Sequence, residues 1–151
     1  MEFGLPAAIG AALANPHRKV ICISGDGSIQ MNIQELATLA DLSLNVSVLI
    51  MNNQHLGLVR QQQELFFGGN YIASRFPRRL DFAAIGREFG LEGVNLETET
   101  DRTGALRRMI GKGGPSIIDI PIRFAENVYP MVPPGAPNRG MMGPRDTPTH
   151  G

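Results

Sequence analysis

Two short stretches carry the residues best suited to chemistry. Gly25-Asp26-Gly27-Ser28 follows one apolar run, and Asn52-Asn53 closes the next. Asp26 offers a hard anionic oxygen and Asn53 a neutral amide oxygen. Mg²⁺ takes about six oxygens in octahedral geometry, usually with phosphate oxygens among them. A main-chain carbonyl just after Asn53 supplies a third protein oxygen, and diphosphate oxygens and water complete the shell. Gly25 and Gly27 let the backbone approach a ligand closely, and the amides of Gly27 and Ser28 open a helix, where an anion is favoured. One carboxylate suits a site to which the diphosphate itself brings negative charge. Taken singly, Gly-Asp-Gly and Asn-Asn are ordinary turn sequences. Their occurrence at two successive strand ends is what points to a metal-bound diphosphate.

The elements around them set that spacing. Leu5 to Ala14 is Ala-rich with Pro6 in its first turn, which predicts a helix stopped by Asn15-Pro16. Lys19 to Ser24 and Val46 to Met51 are short apolar runs that predict buried strands. Between the two motifs lie residues 28–51, the length of one helix and one strand, so both loops emerge on the same edge of the sheet. Ile33, Leu36, Ala37 and Ala40 recur at helical spacing and predict a helix from about Asn32 to Asp41. A helix from Gly57 to about Phe67 follows. The next runs from the N-cap Asp81 through Phe89 and closes at Gly90. A strand near Val94–Leu96, a helix near Thr103–Ile110 and a last strand over Pro115–Ile120 complete the alternation. The fold class expected is α/β, a doubly wound parallel sheet with helices on both faces, in which ligands sit beyond the carboxyl ends of strands. Six of the 11 prolines lie between Pro130 and Pro148, so residues 124–151 are expected to form an extended C-terminal arm and residues 1–123 the domain proper.

Composition narrows the class. With 151 residues the chain is one domain, long enough for a core without disulfide or metal staples. Lys+Arg and Asp+Glu are 14 each, which leaves no electrostatic footprint for nucleic acid or an anionic membrane. Cys22 is the only cysteine, excluding a disulfide framework. No signal peptide and no apolar run near the length of a membrane span is present, so a cytoplasmic setting is expected.

Gly25-Asp26-Gly27 followed by Asn52-Asn53 resembles the thiamine-diphosphate signature of the 2-oxoacid decarboxylase superfamily. Further stretches narrow the resemblance to the acetohydroxyacid (acetolactate) synthase catalytic subunit. They are Gly4-Leu5-Pro6-Ala7-Ala8-Ile9-Gly10-Ala11-Ala12, Met31-Asn32-Ile33-Gln34-Glu35-Leu36-Ala37-Thr38, Leu56-Gly57-Leu58-Val59 and Val128-Tyr129-Pro130-Met131-Val132-Pro133-Pro134-Gly135-Ala136. The resemblance covers nearly the whole chain, and only the last domain of that family. It implies the thiamine-diphosphate-binding fold. It also implies that pyruvate, after losing CO₂, is condensed with a second pyruvate or 2-oxobutyrate in branched-chain amino acid biosynthesis. By resemblance Asp26, Asn53 and the carbonyl of His55 ligate Mg²⁺, and Gly25, Gly27 and Ser28 hold the diphosphate. Gly57, Leu58 and Met1 stand at the cofactor in the same way. The activating Glu belongs to a pyrimidine-binding domain and FAD to a middle domain, neither within this chain. A homodimer of catalytic subunits and a small regulatory subunit are the implied partners.

Two departures stand out. Glu2 interrupts a Met-Gly-Phe-Gly-Leu-Pro type motif. Gln61-Gln62-Gln63 replaces Gln-Trp-Gln, and the chain has no Trp. The second variant resembles the isozyme I type and implies a weaker preference for 2-oxobutyrate, with Gln62 lining the acceptor pocket. Cys22 reads as a small core residue. His17, His150, Arg60, Arg78, Arg79, Arg107 and Arg108 read as solvated. Met131, Met141 and Met142 read as packing residues of the arm or as part of a lid. Glu35 reads as structural or as a contact with neighbouring domains. The alternatives are another carboligase or decarboxylase of the superfamily, such as glyoxylate carboligase, and a catalytically inactive binding module. A nucleotide-binding α/β domain is disfavoured, since no Gly-x-Gly-x-x-Gly opens a helix after a strand.

Overall fold

A computed structural model describes residues 3–144. The chain divides into two compact units, Met1–Gln54 with Arg78–Ile122, and His55–Pro77 with Arg123–Gly151. The Pro-rich C-terminal residues therefore group with the segment after the second strand, a pairing that their composition does not announce.

The first unit is built on four parallel strands, β1 (Val20–Gly25), β2 (Val46–Asn52), β3 (Glu92–Asn95) and β4 (Ser116–Pro121), in the order β1-β2-β4-β3. β2 is central and nearly continuous in apolar residues, as a strand covered on both faces must be. Successive side chains alternate between the faces. Cys22, Val48, Ile50 and Ile117 point one way, against α1 (Gly4–Ala14), α3 (Glu35–Asp41) and α5 (Phe82–Glu88). Leu49 and Ile118 point the other way, against Ala105 and Met109 of α6 (Arg102–Gly111). Ile117 and Ile118 are both fully buried, one on each face, and each burial contributes about 1.5–3 kcal/mol. The doubly wound parallel sheet expected from the sequence is thus present.

Local rules explain most element ends. Pro6 falls in the first turn of α1, where its missing N–H has no intrahelical partner to lose. Asp81 caps α5 by accepting from the Ala84 amide at 2.9 Å, and Gly90 leaves the helix at φ +89°. α5 lies close on the sheet because two glycines permit it. A Cβ on Gly86 would stand 2.1 Å from Cγ2 of Ile117, and one on Gly93 would stand 2.3 Å from the carbonyl oxygen of Ala83.

Three expectations need correction. Asp26–Ile29 is itself a single helical turn, α2, and α3 starts only at Glu35. Amides of Met31, Asn32, Glu35, Leu36 and Ala37 reach back three residues, so turns with tight bonds occupy the predicted first turn of α3. β3 spans Glu92–Asn95 rather than residues 94–96, because its register is set by pairing with β4 from Glu92↔Ser116. Arg60 is not solvated and belongs to the second unit described next.

The second unit holds α4 (Gly57–Phe66) and the described part of the arm. Arg60 is 8% exposed. Its guanidinium lies 5.1 Å from the Tyr71 ring centroid and 5.5 Å from that of Phe124, and it pairs with Glu64 at 2.8 Å. Aromatic faces and an i,i+4 carboxylate together hold the charge out of water. Gln61 is buried and bonds the main chain of Val128 in both directions. Its Nε2 donates to the Val128 carbonyl at 2.8 Å, and its Oε1 accepts from the Val128 amide at 3.0 Å. Met131 and Met142 exchange main-chain bonds of 3.0 and 2.7 Å within the arm.

Candidate metal and diphosphate site

β1 and β2 pair in register up to Gly25↔Met51, so the segments leaving them start as neighbours. Asp26 is the first residue beyond β1 and Asn53 the first beyond β2. Both Asp26 oxygens are engaged. Oδ1 accepts from the Gly27 amide at 2.9 Å, and Oδ2 accepts from the Gln54 amide at 2.6 Å. Gln54 reaches that position at φ +60°, a left-handed conformation uncommon outside glycine. Asp26 of the first motif is thus tied by a hydrogen bond to the residue that directly follows the second.

Asp26 is 3% exposed. Burial raises its pKa above the ordinary carboxylate value, the amides of Gly27 and Gln54 pull it back down, and the Asp119 charge raises it further. Among the described residues no cationic side chain pairs with it. A buried carboxylate with amide donors and no cation is suited to a metal ion, whose charge favours the ionised form. The same residues contain no group of three His, Cys, Asp or Glu able to hold a metal without help. Gly25 supports the same reading. Its φ is −85°, and a Cβ there would meet nothing nearer than Ser28 Oγ at 4.0 Å, so neither backbone conformation nor packing within the protein requires glycine. The space that its missing side chain leaves is available to a ligand.

The remaining predicted residues fall into place unevenly. Asn53 is half-buried. Gly27 is the second residue of α2, and its amide already serves Asp26. His55 belongs to the second unit, where its ring stacks on Phe124 at 5.3 Å and its backbone bridges Arg75. Gly57 begins α4, Leu58 is 62% exposed, and Gln62 is exposed on the same helix. Its neighbours differ, for the Nε2 atoms of Gln61 and Gln63 donate to the carbonyls of Val128 and Ile72, each at 2.8 Å. Met1 and His150 lie outside the described residues. Cys22 is a core residue of β1, and His17, Arg78, Arg107 and Arg108 are exposed as expected.

Behind the site, Asn52 was read only as half of the Asn-Asn motif, and its partner Asp119 escaped the sequence reading. Asn52 Nδ2 donates to Asp119 Oδ1 at 3.0 Å and Oδ2 at 3.3 Å, and the Phe82 amide donates to Oδ2 at 3.1 Å. Asp119 is fully buried. The signal was present, an aspartate inside Ile117-Ile118-Asp119-Ile120, where a buried strand has no ordinary use for a charge.

A parallel α/β sheet with a carboxylate and an amide at adjacent carboxyl ends defines a class of diphosphate-binding domain, and comparison with known proteins agrees. Residues 1–120 match the family described as the thiamine pyrophosphate enzyme, C-terminal TPP binding domain, and the chain belongs to that family. It is 52% identical over 143 residues to the acetolactate synthase isozyme 1 large subunit of Escherichia coli K12, covering 95% of this chain and 25% of that protein. Against the acetolactate synthase large subunit of Cyanidium caldarium the identity is 42% over 144 residues, covering 95% and 25%. The 4-hydroxybenzoylformate decarboxylase of Rhodococcus jostii RHA1, a thiamine-diphosphate-dependent enzyme, superposes with TM-score 0.75 at 32% identity, over 84% of this chain and 24% of that one. The benzoylformate decarboxylase of Polynucleobacter necessarius gives 0.72 at 29%, over 82% and 24%. The chain thus spans about a quarter of the length of these relatives.

Proposed function

We propose that this chain is the metal- and diphosphate-binding part of an acetolactate synthase large subunit. The complete enzyme condenses pyruvate with a second pyruvate or with 2-oxobutyrate after decarboxylation, in branched-chain amino acid biosynthesis. The bond from Gln54 N–H to Asp26 supports the reading, because it joins Asp26 to the residue that follows Asn53. Asp26 and Asn53 supply side-chain oxygens to Mg²⁺, and the His55 carbonyl supplies a third. Gly25, Gly27 and Ser28 receive the diphosphate, while Gly57 and Leu58 lie along the cofactor. Thiamine diphosphate, once bound, supplies the carbon centre at which the 2-oxoacid loses CO₂. This chain's own part is to bind and orient. Gln62 faces the acceptor and makes an amide surface rather than an apolar one. FAD, the pyrimidine-binding domain with its activating Glu, a second catalytic subunit and a small regulatory subunit complete the assembly. Among the described residues no helix is long and apolar enough to cross a membrane, and the proposed setting is the cytoplasm.

The 52% identity to an acetolactate synthase, against 32% to a decarboxylase of aryl 2-oxoacids, favours the carboligase reading within the family. The test is calorimetric titration of Mg²⁺ and thiamine diphosphate into the chain and its Asp26→Ala and Asn53→Ala variants. Each substitution is expected to abolish Mg²⁺-dependent cofactor binding and leave the melting transition cooperative. Wild-type affinity in either variant overturns the metal assignment.

A further inference from the structure

Asp26 and Asp119 are the two buried carboxylates among the described residues, and only the first is explained by binding a metal. Asp119 interrupts a strand of isoleucines, where an apolar side chain would avoid the desolvation of a carboxylate. Its bonds show what the carboxylate does. One oxygen pair receives both the Asn52 side chain and the Phe82 amide, a task that needs an acceptor on both sides of one group. Asp81 takes the Ala84 amide of α5 and Asp119 takes the Phe82 amide beside it, so the helix end accounts for one bond of Asp119 and leaves the Asn52 side chain to be explained.

Asn52 is the last residue of β2 and directly precedes Asn53. Its side chain is held by Asp119, and its carbonyl accepts from the Ile122 amide at 3.0 Å. The end of β2 is therefore pinned to β4 through side chain and main chain together. Two residues later Gln54 adopts φ +60° and donates to Asp26. A rotation of the Asn52 peptide would carry Asn53 and the Gln54 amide with it. We propose that Asp119 is a positioning residue of the metal site, which holds Asn52 so that Asn53 and Gln54 present their polar groups toward Asp26. This inference rests on the function proposed above.

The test compares the unaltered chain with Asp119→Leu, Asp119→Asn and the exchange Asn52→Asp/Asp119→Asn. Mg²⁺ is titrated calorimetrically at saturating thiamine diphosphate, and circular dichroism melts report folding. Losing a partner that orients a metal ligand costs on the order of tenfold or more in metal affinity, and that is the loss expected for Asp119→Leu. The exchange restores donor to acceptor with the roles reversed. The amide introduced at position 119 would donate to the carboxylate introduced at position 52, and its oxygen would still accept from the Phe82 amide. The exchange is expected to recover most of the lost affinity, a recovery that a merely structural role does not give. Wild-type Mg²⁺ affinity in a folded Asp119→Leu chain overturns the inference. So does an exchange variant that is folded yet binds as weakly as Asp119→Asn. If Asp119→Leu does not fold, the exchange alone decides. Absence of binding by the unaltered chain overturns the proposed function and this inference with it, whereas binding abolished by Asp26→Ala but indifferent to Asp119 overturns the inference alone.

Discussion

The Gln54 amide lies 2.6 Å from Oδ2 of Asp26, and the two residues come from the ends of neighbouring parallel strands. Gln54 makes that bond from the left-handed region, where a side chain costs about 1–2 kcal/mol. Glycine would remove the steric cost and keep the amide, while loosening the unfolded chain by roughly 0.5–1 kcal/mol. Gln54→Gly is therefore expected to leave stability unchanged or raise it by up to about 1 kcal/mol. Urea unfolding checks this, and a marked loss would mean that the Gln54 side chain itself holds the turn.

Burial raises the pKa of Asp119 above the ordinary carboxylate value. The Asn52 side chain and the Phe82 amide lower it in part, Asp81 raises it and Arg79 lowers it. The folded chain thus holds that proton more tightly than the unfolded chain. The contribution to stability is fully present below the unfolded value and is lost as pH rises through the folded one. Asp119→Asn cannot undergo this loss. The advantage of the wild type over Asp119→Asn should therefore shrink as pH is raised from about 4 to about 7. Unfolding midpoints of both chains across that interval measure it, and parallel curves would show that Asp119 is not pKa-shifted.

Gly93→Ala is expected to destabilise the chain by about 1–3 kcal/mol, the usual penalty for overfilling a packed contact. The added methyl meets the Ala83 carbonyl at 2.3 Å, and a main-chain oxygen of a helix cannot swing aside as a side-chain tip does. Denaturant unfolding gives the number. A change below about 0.5 kcal/mol would mean that β3 and α5 separate freely.

In the complete enzyme, Gln62→Trp is expected to shift product toward acetohydroxybutyrate. An indole would contact the extra methyl of 2-oxobutyrate, and one methylene in an apolar pocket is worth roughly 1–3 kcal/mol, or about 10–200-fold. Competition between the two oxoacids at fixed pyruvate reads the ratio. An unchanged ratio removes Gln62 from the acceptor pocket.

The 151-residue chain by itself should bind the cofactor's diphosphate end and make no acetolactate. On the proposed reading the activating Glu and the pyrimidine site lie elsewhere in the enzyme. Incubation with thiamine diphosphate, Mg²⁺, FAD and pyruvate tests this, and turnover near 1 s⁻¹ or faster would refute it. Ile21 and Ile23 on the edge strand β1 are 47% and 67% exposed, so sedimentation should also reveal self-association as concentration rises.

What the sequence disclosed was what short-range chemistry controls. The β2 run, the Asp81 cap, the Gly90 exit and the spacing between Asp26 and Asn53 each follow from a local rule, and each is present. What it hid depends on partners far away in the chain. Arg60 reads as solvated until Tyr71 and Phe124 are brought over it, and nothing near Gln61 in the sequence announces Val128, which arrives from 67 positions later. Asp119 went unread inside its apolar strand, since its purpose requires Asn52 beside it. The late start of α3 failed for another reason, because apolar spacing of Ile33 with Leu36 suits a chain of tight turns as well as a helix.

The contact between Gln61 and Val128 divides evolutionary freedom unequally between its two sides. Both bonds end on main-chain atoms of residue 128, and the Val128 side chain is itself 65% exposed. Position 128 can therefore drift through nearly every amino acid without touching the anchor. Proline is the exception, since it lacks the N–H that Gln61 accepts. Position 61 has no such latitude. Glutamate would lose the donor and lysine the acceptor, and asparagine would fall one methylene short. A mutational scan is expected to find position 128 more permissive than its partner in α4, since the bonds need the Gln61 side chain and only the main chain of Val128.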